Sequence, residues 1–130
     1  NVLVVDDSAA DRLLMKTLLE QHGFTVQEAP NGAAALKKLE ASSGVSVVLL
    51  DLLMPEMDGR ETLGRLRSSV RTAGIPVVIL TASDDPDLEL QLLEAGADDY
   101  LGKPVDPARL VARVRSVIRR SGWPSESAPA

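Results

Sequence analysis

The sequence predicts a three-layer α/β fold in which a doubly wound, five-stranded parallel sheet lies between two layers of helices. Five segments with strand character alternate along the chain with five segments of helical periodicity, which is typical of parallel sheets. The first, third and fourth strands are apolar on both faces, as strands covered by helices should be. A chain of 130 residues is long enough for one such domain.

The first half of the chain contains three strands and two helices. Each strand is a short β-branched or alternating run, and each helix repeats apolar residues every three or four positions. Asn31-Gly32 supplies the turn before the second helix. In order, the predicted elements are a strand at Val2–Val5, a helix carrying Leu14, Leu18 and Leu19 that Gly23 ends, a strand at Phe24–Glu28, a helix lined by Ala35, Leu36 and Leu39, and a strand at Val45–Leu50.

The second half contains the remaining elements and ends in a segment without periodicity. Asp84 is predicted to be the N-cap of the fourth helix, with Pro86 in its first turn. Ser121–Ala130 is rich in Ser, Pro and Ala, and we expect a tail or linker there, after a domain spanning residues 1–120. In order, the elements are a helix after Gly59 carrying Leu63 and Leu66, a strand at Ile75–Leu80, a helix with Leu88, Leu92 and Ala95 on one face, a strand at Asp98–Leu101, and a helix from Pro107 with Leu110, Val114, Val117 and Ile118 facing inward.

Composition excludes several classes of function. The chain has no cysteine, so disulfides, thiolate metal ligands and cysteine catalysis are not available. A net charge of −5 and only three aromatic residues argue against direct nucleic-acid binding by this domain. No apolar stretch approaches the roughly 18 residues needed to cross a bilayer, so we expect a cytoplasmic protein with no membrane partner. Residue 1 is not Met and no targeting segment precedes the first strand, so we expect the sequence to begin just inside a longer natural chain.

Acidic side chains follow two of the apolar strands. Asp51 ends the third strand among large apolar residues, and Asp6 and Asp7 end the first. Because parallel strands deliver their carboxyl ends to one edge of the sheet, these three acids should meet there if the two strands are neighbours. They would repel one another unless a cation joined them, and hard oxygen ligands favour Mg²⁺. The sequence therefore predicts a magnesium site at this edge.

Residues after the fourth and fifth strands complete a set suited to phosphoryl transfer. Thr81 and Ala82 end the fourth strand and Lys103 follows the fifth. Asp51 would be the nucleophile, Lys103 would pair with phosphoryl oxygens, Thr81 would donate a hydrogen bond, and the small Ala82 would leave room for the donor or water. Taken singly, each has a structural explanation: helix N-terminal acids, a strand-end hydroxyl or a surface lysine.

Four motifs, VLVVDDS, LLDLLMPEMDG, VVILTAS and YLGKP, resemble in order and spacing the signatures of response-regulator receiver domains, over about residues 2 to 120. The resemblance implies a flavodoxin-like strand order of 2-1-3-4-5. It also implies that a histidine kinase or histidine phosphotransfer protein phosphorylates Asp51 in a two-component phosphorelay. In such a domain Mg²⁺ is bound by Asp7, Asp51 and the backbone carbonyl of Leu53, and through water by Asp6. The Lys103-Pro104 peptide bond is expected to be cis.

The resemblance further implies a signalling switch that catalyses its own phosphorylation and dephosphorylation, rather than an enzyme acting on other substrates. Thr81 and Tyr100 match the hydroxyl and the aromatic residue through which phosphorylation changes the surface formed by helix 4, strand 5 and helix 5, and so controls an output or partner. Tyr100 could also be a packing residue with a solvated hydroxyl. Leu53 and Ser83 flank the expected path of attacking water.

Three alternatives to this function can be weighed on the sequence. A phosphatase of the haloacid dehalogenase type would resemble Asp-x-Asp-x-Thr after strand 1, where this chain has Asp6-Asp7-Ser8-Ala9. A flavin-binding module would need a glycine-rich loop after strand 1 and aromatics around the ring. An interaction domain that has the receiver fold but is not phosphorylated would not need all of the polar residues predicted at the edge of the sheet.

The fifth helix is strongly basic, and the sequence leaves two interpretations open. Its arginines could form a solvated face, or they could pair with acids near helix 4 and strand 5 across a symmetric homodimer contact. The arginines are Arg109, Arg113, Arg115, Arg119 and Arg120, and the acids are Asp84, Asp85, Asp87, Glu89, Asp98 and Asp99.

Overall fold

Strands and helices alternate through the whole described part of the chain. The computed structural model describes residues 1–41, 44–54, 57–82 and 85–121. The elements are β1 (Val2–Val5), α1 (Ala9–Gln21), β2 (Val26–Ala29), α2 (Gly32–Ala41), β3 (Val47–Asp51), α3 (Gly59–Ser68), β4 (Val77–Thr81), α4 (Pro86–Glu94), β5 (Asp99–Gly102) and α5 (Pro107–Ser121).

The strands form one parallel sheet in the order β2-β1-β3-β4-β5. This confirms the predicted fold class and the strand order that the resemblance implies. The order reverses direction between β1 and β3, and the crevice at the carboxyl ends of those two strands is where ligands bind in folds of this kind.

Helices cover both faces of the sheet, which explains why β1, β3 and β4 are buried along their full length. One core cluster joins the sheet to α1 and α5 through residues such as Leu19 and Leu110. The other joins it to α2, α3 and α4 through residues such as Leu39, Leu63 and Leu92. Among the described residues, no helix has both the length and the apolar character that a membrane span requires.

Four strand boundaries differ from the prediction by one or two residues. The observed β2, β3, β4 and β5 all begin and end later than predicted. For β4 the reason is Pro76, which has no N–H to donate to a ladder and contributes only its carbonyl, which accepts from Val48 N at 2.9 Å. The hydrogen bonds with neighbouring strands therefore decide where these strands begin and end.

Several predicted positions in the helices need correction. The N-cap of α4 is Asp85, whose side chain accepts from Asp87 N, while the predicted cap Asp84 lies outside the described residues. Ala95, predicted on one face with Leu88 and Leu92, is the C-cap just past the last residue of α4, and it is exposed. Leu14 is 70% exposed, because the apolar face of α1 extends past the core into a surface groove. Of the predicted tail, Ser121 is the last residue of α5 and the rest lies outside the described residues, so the tail stays a prediction.

Candidate functional site

The register between β1 and β3 places two acids side by side at the carboxyl edge of the sheet. Val5 pairs with Leu50, so Asp6 and Asp51 each stand one residue beyond that pair on neighbouring strands. Both carboxylates are buried at the edge, whereas Asp7, the next residue, is exposed. Each of the three offers a carboxylate oxygen, and these oxygens lie within 4.8 Å of one another.

The three carboxylates fit a hard divalent cation. Mg²⁺ prefers oxygen ligands, and it usually takes one or two carboxylates while keeping several waters. A cluster of two buried acids and one exposed acid leaves the solvent side open for such waters. The predicted meeting of residues 6, 7 and 51 is therefore present in the structure, and its geometry permits a shared ion.

Lys103 reaches this cluster from the far side of β4. Its backbone N donates to Thr81 O at 2.7 Å, which ties the start of the loop after β5 to the end of β4. Its Nζ lies 3.2 Å from Asp51 Oδ1 and 3.4 Å from Asp6 Oδ2. The Lys103-Pro104 peptide bond is cis, as the resemblance implies. One ammonium group thus bridges two of the three acids.

Burial and neighbouring charge act in opposite directions on the two central groups. Burial raises the pKa of Asp51 above its ordinary value of 3.8, and the charges of Asp6 and Asp7 raise it further, while Lys103 lowers it only in part. Burial lowers the pKa of Lys103, but the carboxylates of Asp51 and Asp6 outweigh that effect and hold it above 10.5. The ammonium therefore keeps its charge at neutral pH, and burial disfavours the ionised form of Asp51.

Thr81 and Tyr100 share one face of the sheet. Ile79 pairs with Tyr100 and Thr81 pairs with Gly102, so the side chains of Ile79, Thr81 and Tyr100 point to the same side. Thr81 is fully buried, and Tyr100 is half-buried against the cluster beneath α2, α3 and α4. The two predicted switch residues therefore lie on the same face of the sheet, on neighbouring strands.

The other predicted positions are solvent-facing or not described. Ala82 follows Thr81 and is exposed. Leu53, two residues after Asp51, has a side chain that is 68% exposed. Ser83 lies outside the described residues.

The beginning of α3 closes tightly on the backbone of Asp51. Gly59 N donates to Leu52 O at 2.9 Å, and the Asp58 side chain caps the helix by accepting from Glu61 N. A Cβ at position 59 would lie 2.5 Å from the backbone oxygen of Asp51 and 2.8 Å from Leu52 Cα. Only glycine allows this approach, so the requirement for glycine here comes from the backbone of the site itself.

Arg12 contacts the site, and the sequence did not reveal this. Its Nη1 donates to the backbone oxygen of Asp6 at 2.6 Å, and its Nε lies 3.4 Å from Glu28 Oε1 on β2. The available signal was an arginine six residues after the acid, early in the helix that follows. That spacing does not tell which acceptor the side chain chooses, because the choice depends on Glu28 from another strand.

A groove of about 400 Å³ opens beside the acids, between α1 and the loop after β5. Its polar end contains Asp6 and Lys103. The remaining lining is mostly apolar and consists of Asp11, Leu14, Met15, Leu18, Pro104, Val105 and Pro107. The exposed Leu14 is therefore part of a concave apolar surface that leads to the acid cluster.

A comparison with known protein families identifies the family of this chain. The sequence profile of the response regulator receiver domain matches residues 2–115. The chain belongs to this family. It is thus a receiver domain of two-component signalling, as its four motifs indicated.

Relatives and solved structures agree with this assignment. The chain is 42% identical over 126 residues to the transcriptional regulatory protein CpxR homolog of Haemophilus influenzae, covering 97% of this chain and 53% of that protein. It is 38% identical over 120 residues to the transcriptional regulatory protein SrrA of Staphylococcus aureus, covering 92% and 48%. The chain therefore spans about half the length of the curated relatives it matches.

Solved structures of other proteins match this chain over nearly the whole fold. A putative response regulator from Chloroflexus aurantiacus matches with a TM-score of 0.86 at 33% identity, covering 92% of this chain and 97% of that one. The chemotaxis protein CheY4 of Vibrio cholerae matches with a TM-score of 0.83 at 30% identity, covering 89% and 96%.

Proposed function

We propose that this receiver domain accepts a phosphoryl group on Asp51 and changes its surface in response. The observation that supports this most directly is the meeting of three carboxylates and one ammonium group at the carboxyl edge of β1 and β3. The alternatives explain it less well, since neither a flavin site nor a plain interaction surface requires buried acids beside a lysine.

Each side chain has a distinct role in the proposed transfer. An oxygen of Asp51 attacks the phosphorus of a phosphohistidine donor, the P–N bond breaks, and the imidazole leaves as an aspartyl phosphate forms. Asp7, Asp51 and the Leu53 carbonyl would hold Mg²⁺, with Asp6 acting through water, and the bound ion would neutralise charge on the phosphoryl oxygens. Lys103 moves from the carboxylates to a phosphoryl oxygen, and exposed Ala82 leaves the approach open.

The proposed switch uses the face of the sheet that Thr81 and Tyr100 share. A phosphoryl group on Asp51 would offer an acceptor to the Thr81 hydroxyl, and Tyr100 would turn into the space that the hydroxyl leaves. The α4, β5 and α5 surface would then prefer a different partner. The two states should differ by only a few kcal/mol, since one charged group must be able to tip the balance.

The partners follow from the groove and from the relatives. We propose that a histidine kinase or histidine phosphotransfer protein docks in the groove that contains Leu14 and Val105, which brings its phosphohistidine to the acids. The named relatives are transcriptional regulators about twice as long as this chain, which supports an output domain that binds DNA. Family membership also supports the predicted cytoplasmic location.

Phosphorylation can be tested directly by intact-mass measurement after incubation with acetyl phosphate and Mg²⁺. We expect the wild type to gain one phosphoryl group and the Asp51→Asn variant to gain none, because the amide cannot act as the nucleophile. Asp58→Asn is a matched control, since asparagine also caps helices and should keep the start of α3 in place, so that phosphorylation stays intact. Continuous hydrolysis of many phosphate esters would contradict the proposal and favour a phosphatase.

A homodimer through α4, β5 and α5 remains a proposal. Contacts within one chain bear on which arginines of α5 are available to pair with acids of the other chain. Arg113 Nη1 already lies 2.9 Å from Asp99 Oδ2 within one chain. Arg109 is exposed and shares a surface hollow with Glu89, so it is better placed for a contact between chains.

We predict that a phosphate mimic such as beryllofluoride increases the sedimentation coefficient of the wild type, and that Arg109→Glu weakens this response. Reversing the charge at position 109 would place an acidic side chain of each chain opposite the acids of α4 in the other, and these like charges would repel. Arg65→Glu, which changes an exposed side chain on α3, is the control and should dimerise like the wild type. An unchanged sedimentation coefficient on addition of the mimic would rule the dimer out.

A further inference from the structure

Arg12 makes a contact that none of the proposed chemistry uses. Its guanidinium donates from Nη1 to the backbone oxygen of Asp6 at 2.6 Å, and its side chain is only 17% exposed. That oxygen belongs to the peptide unit joining Asp6 to Asp7. One arginine therefore contacts the backbone between two of the three clustered acids, without contacting any of their carboxylates in the described contacts.

The guanidinium is itself held in place from β2. Its Nε lies 3.4 Å from Glu28 Oε1, and Lys16 Nζ lies 3.8 Å from Glu28 Oε2. Glu28 sits in the strand that pairs with β1, in register with Val4. The arginine thus links α1, β1 and β2 at the point where the chain leaves the sheet to form the acid-bearing turn.

Other hydrogen bonds hold the same turn on either side of this carbonyl. Asp6 N donates to Ala29 O at 3.2 Å, and Ser8 N donates to Asp6 Oδ1 at 2.9 Å. These fix the backbone before Asp6 and its carboxylate. The bond from Arg12 acts on the carbonyl of the peptide after Asp6, and the direction of that peptide sets where the exposed Asp7 side chain projects.

We propose that Arg12 is a positioning residue for Mg²⁺: it orients the Asp6–Asp7 peptide so that the Asp7 carboxylate faces the site that it shares with Asp6 and Asp51. The inference rests on the proposed function, because it concerns the same magnesium site. Mg²⁺ demands near-octahedral geometry, so a small rotation of one ligand weakens binding. Because Arg12 contacts a carbonyl and its charge is balanced by Glu28, it does not compete with the cation for the carboxylates, unlike Lys103.

The test is the Mg²⁺ dissociation constant, measured by calorimetric or NMR titration of the whole chain with MgCl₂. Arg12→Ala should raise this constant by about tenfold to a hundredfold, the effect typical of losing an outer partner of a metal ligand. Phosphorylation by acetyl phosphate should recover at saturating Mg²⁺, because Arg12 touches no reacting atom. Arg12→Lys, which keeps a positively charged donor group, should restore part of the affinity.

The control and the stability measurement separate this role from a general structural one. Arg65→Ala removes a similar guanidinium–carboxylate pair from α3, where Arg65 Nη2 lies 3.3 Å from Glu61 Oε2, and should leave Mg²⁺ affinity unchanged. An Arg12→Ala protein that is folded, as urea denaturation shows, and binds Mg²⁺ like the wild type would overturn the role of Arg12 alone. A wild type that does not bind Mg²⁺ would overturn the magnesium part of the proposed function, and the role of Arg12 with it.

Discussion

Replacing Lys103 by Met should slow phosphorylation of Asp51 by acetyl phosphate by roughly a hundredfold or more, the usual effect of removing one preorganised charged donor. Its Nζ lies 3.2 Å from Asp51 Oδ1, and its backbone N, at the start of the loop after β5, donates to Thr81 O. The rate can be followed by intact mass at saturating Mg²⁺. Lys37→Met removes the same charge from the exposed face of α2 and should leave the rate unchanged.

In the absence of divalent cations, the free energy of unfolding of Lys103→Met should depend on pH differently from that of the wild type. The pKa of Asp51 lies above 3.8 in the fold, so the folded state binds this proton more tightly than the unfolded chain does. The free energy of unfolding therefore falls as the pH rises from 3.8 through the folded-state pKa. Lys103 opposes burial, so Lys103→Met raises the pKa of Asp51 further and extends the fall to higher pH.

Urea denaturation from the acidic to the alkaline range measures the free energy of unfolding of both proteins at each pH. The wild type should also lose stability when the pH rises above 10.5 through the raised pKa of Lys103, and the variant should lack that loss. A variant whose stability profile is parallel to that of the wild type at every pH would show that Lys103 does not set the ionisation of Asp51.

The meeting of the acids could be predicted from the sequence because it depends on topology alone. Once β1 and β3 are parallel neighbours, the residues that follow Val5 and Leu50 must lie side by side, whatever their side chains do. The apolar runs, the helical periodicities and the four motifs were enough to reach that point. Strand ends were less accurate, since they depend on which neighbour supplies each hydrogen bond.

Contacts chosen by long polar side chains could not be predicted. Arg67 is a second example besides Arg12: it donates to Gly96 O, Ala73 O and Ile75 O, with distances of 2.6 to 2.9 Å. These acceptors come from two separate turns, and nothing in the local sequence around Arg67 selects them. An arginine has many rotamers and five donors, so its partners are known only when the surrounding backbone is in place.

Close backbone packing was also hidden from the sequence, although glycines are visible there. Gly59 and Gly64 both lie in α3 and look equivalent as helix residues. In the structure a Cβ at position 64 would have nothing within 4 Å, whereas one at position 59 would meet the backbone of Asp51 and Leu52. Only the position of β3, which carries Asp51, separates the two.

This difference predicts opposite effects for two alanine substitutions in one helix. Gly59→Ala should lower the free energy of unfolding by about 3 kcal/mol, the upper part of the usual range for overpacking, because the atoms it meets are backbone and cannot rotate away. Gly64→Ala should raise it by about 0.5–1 kcal/mol, since alanine is the better helix former and finds open space. Urea denaturation of both variants measures the pair.

The two substitutions should also differ at the acid cluster. To accommodate a methyl group, Gly59→Ala must move the peptide of Asp51, and the Asp51 carboxylate then shifts relative to Asp6 and Lys103. Phosphorylation should therefore slow in Gly59→Ala under conditions where it is fully folded, and remain normal in Gly64→Ala. Equal stability changes in the two variants would mean that α3 can move away from the end of β3, and that the start of α3 does not fix the position of Asp51.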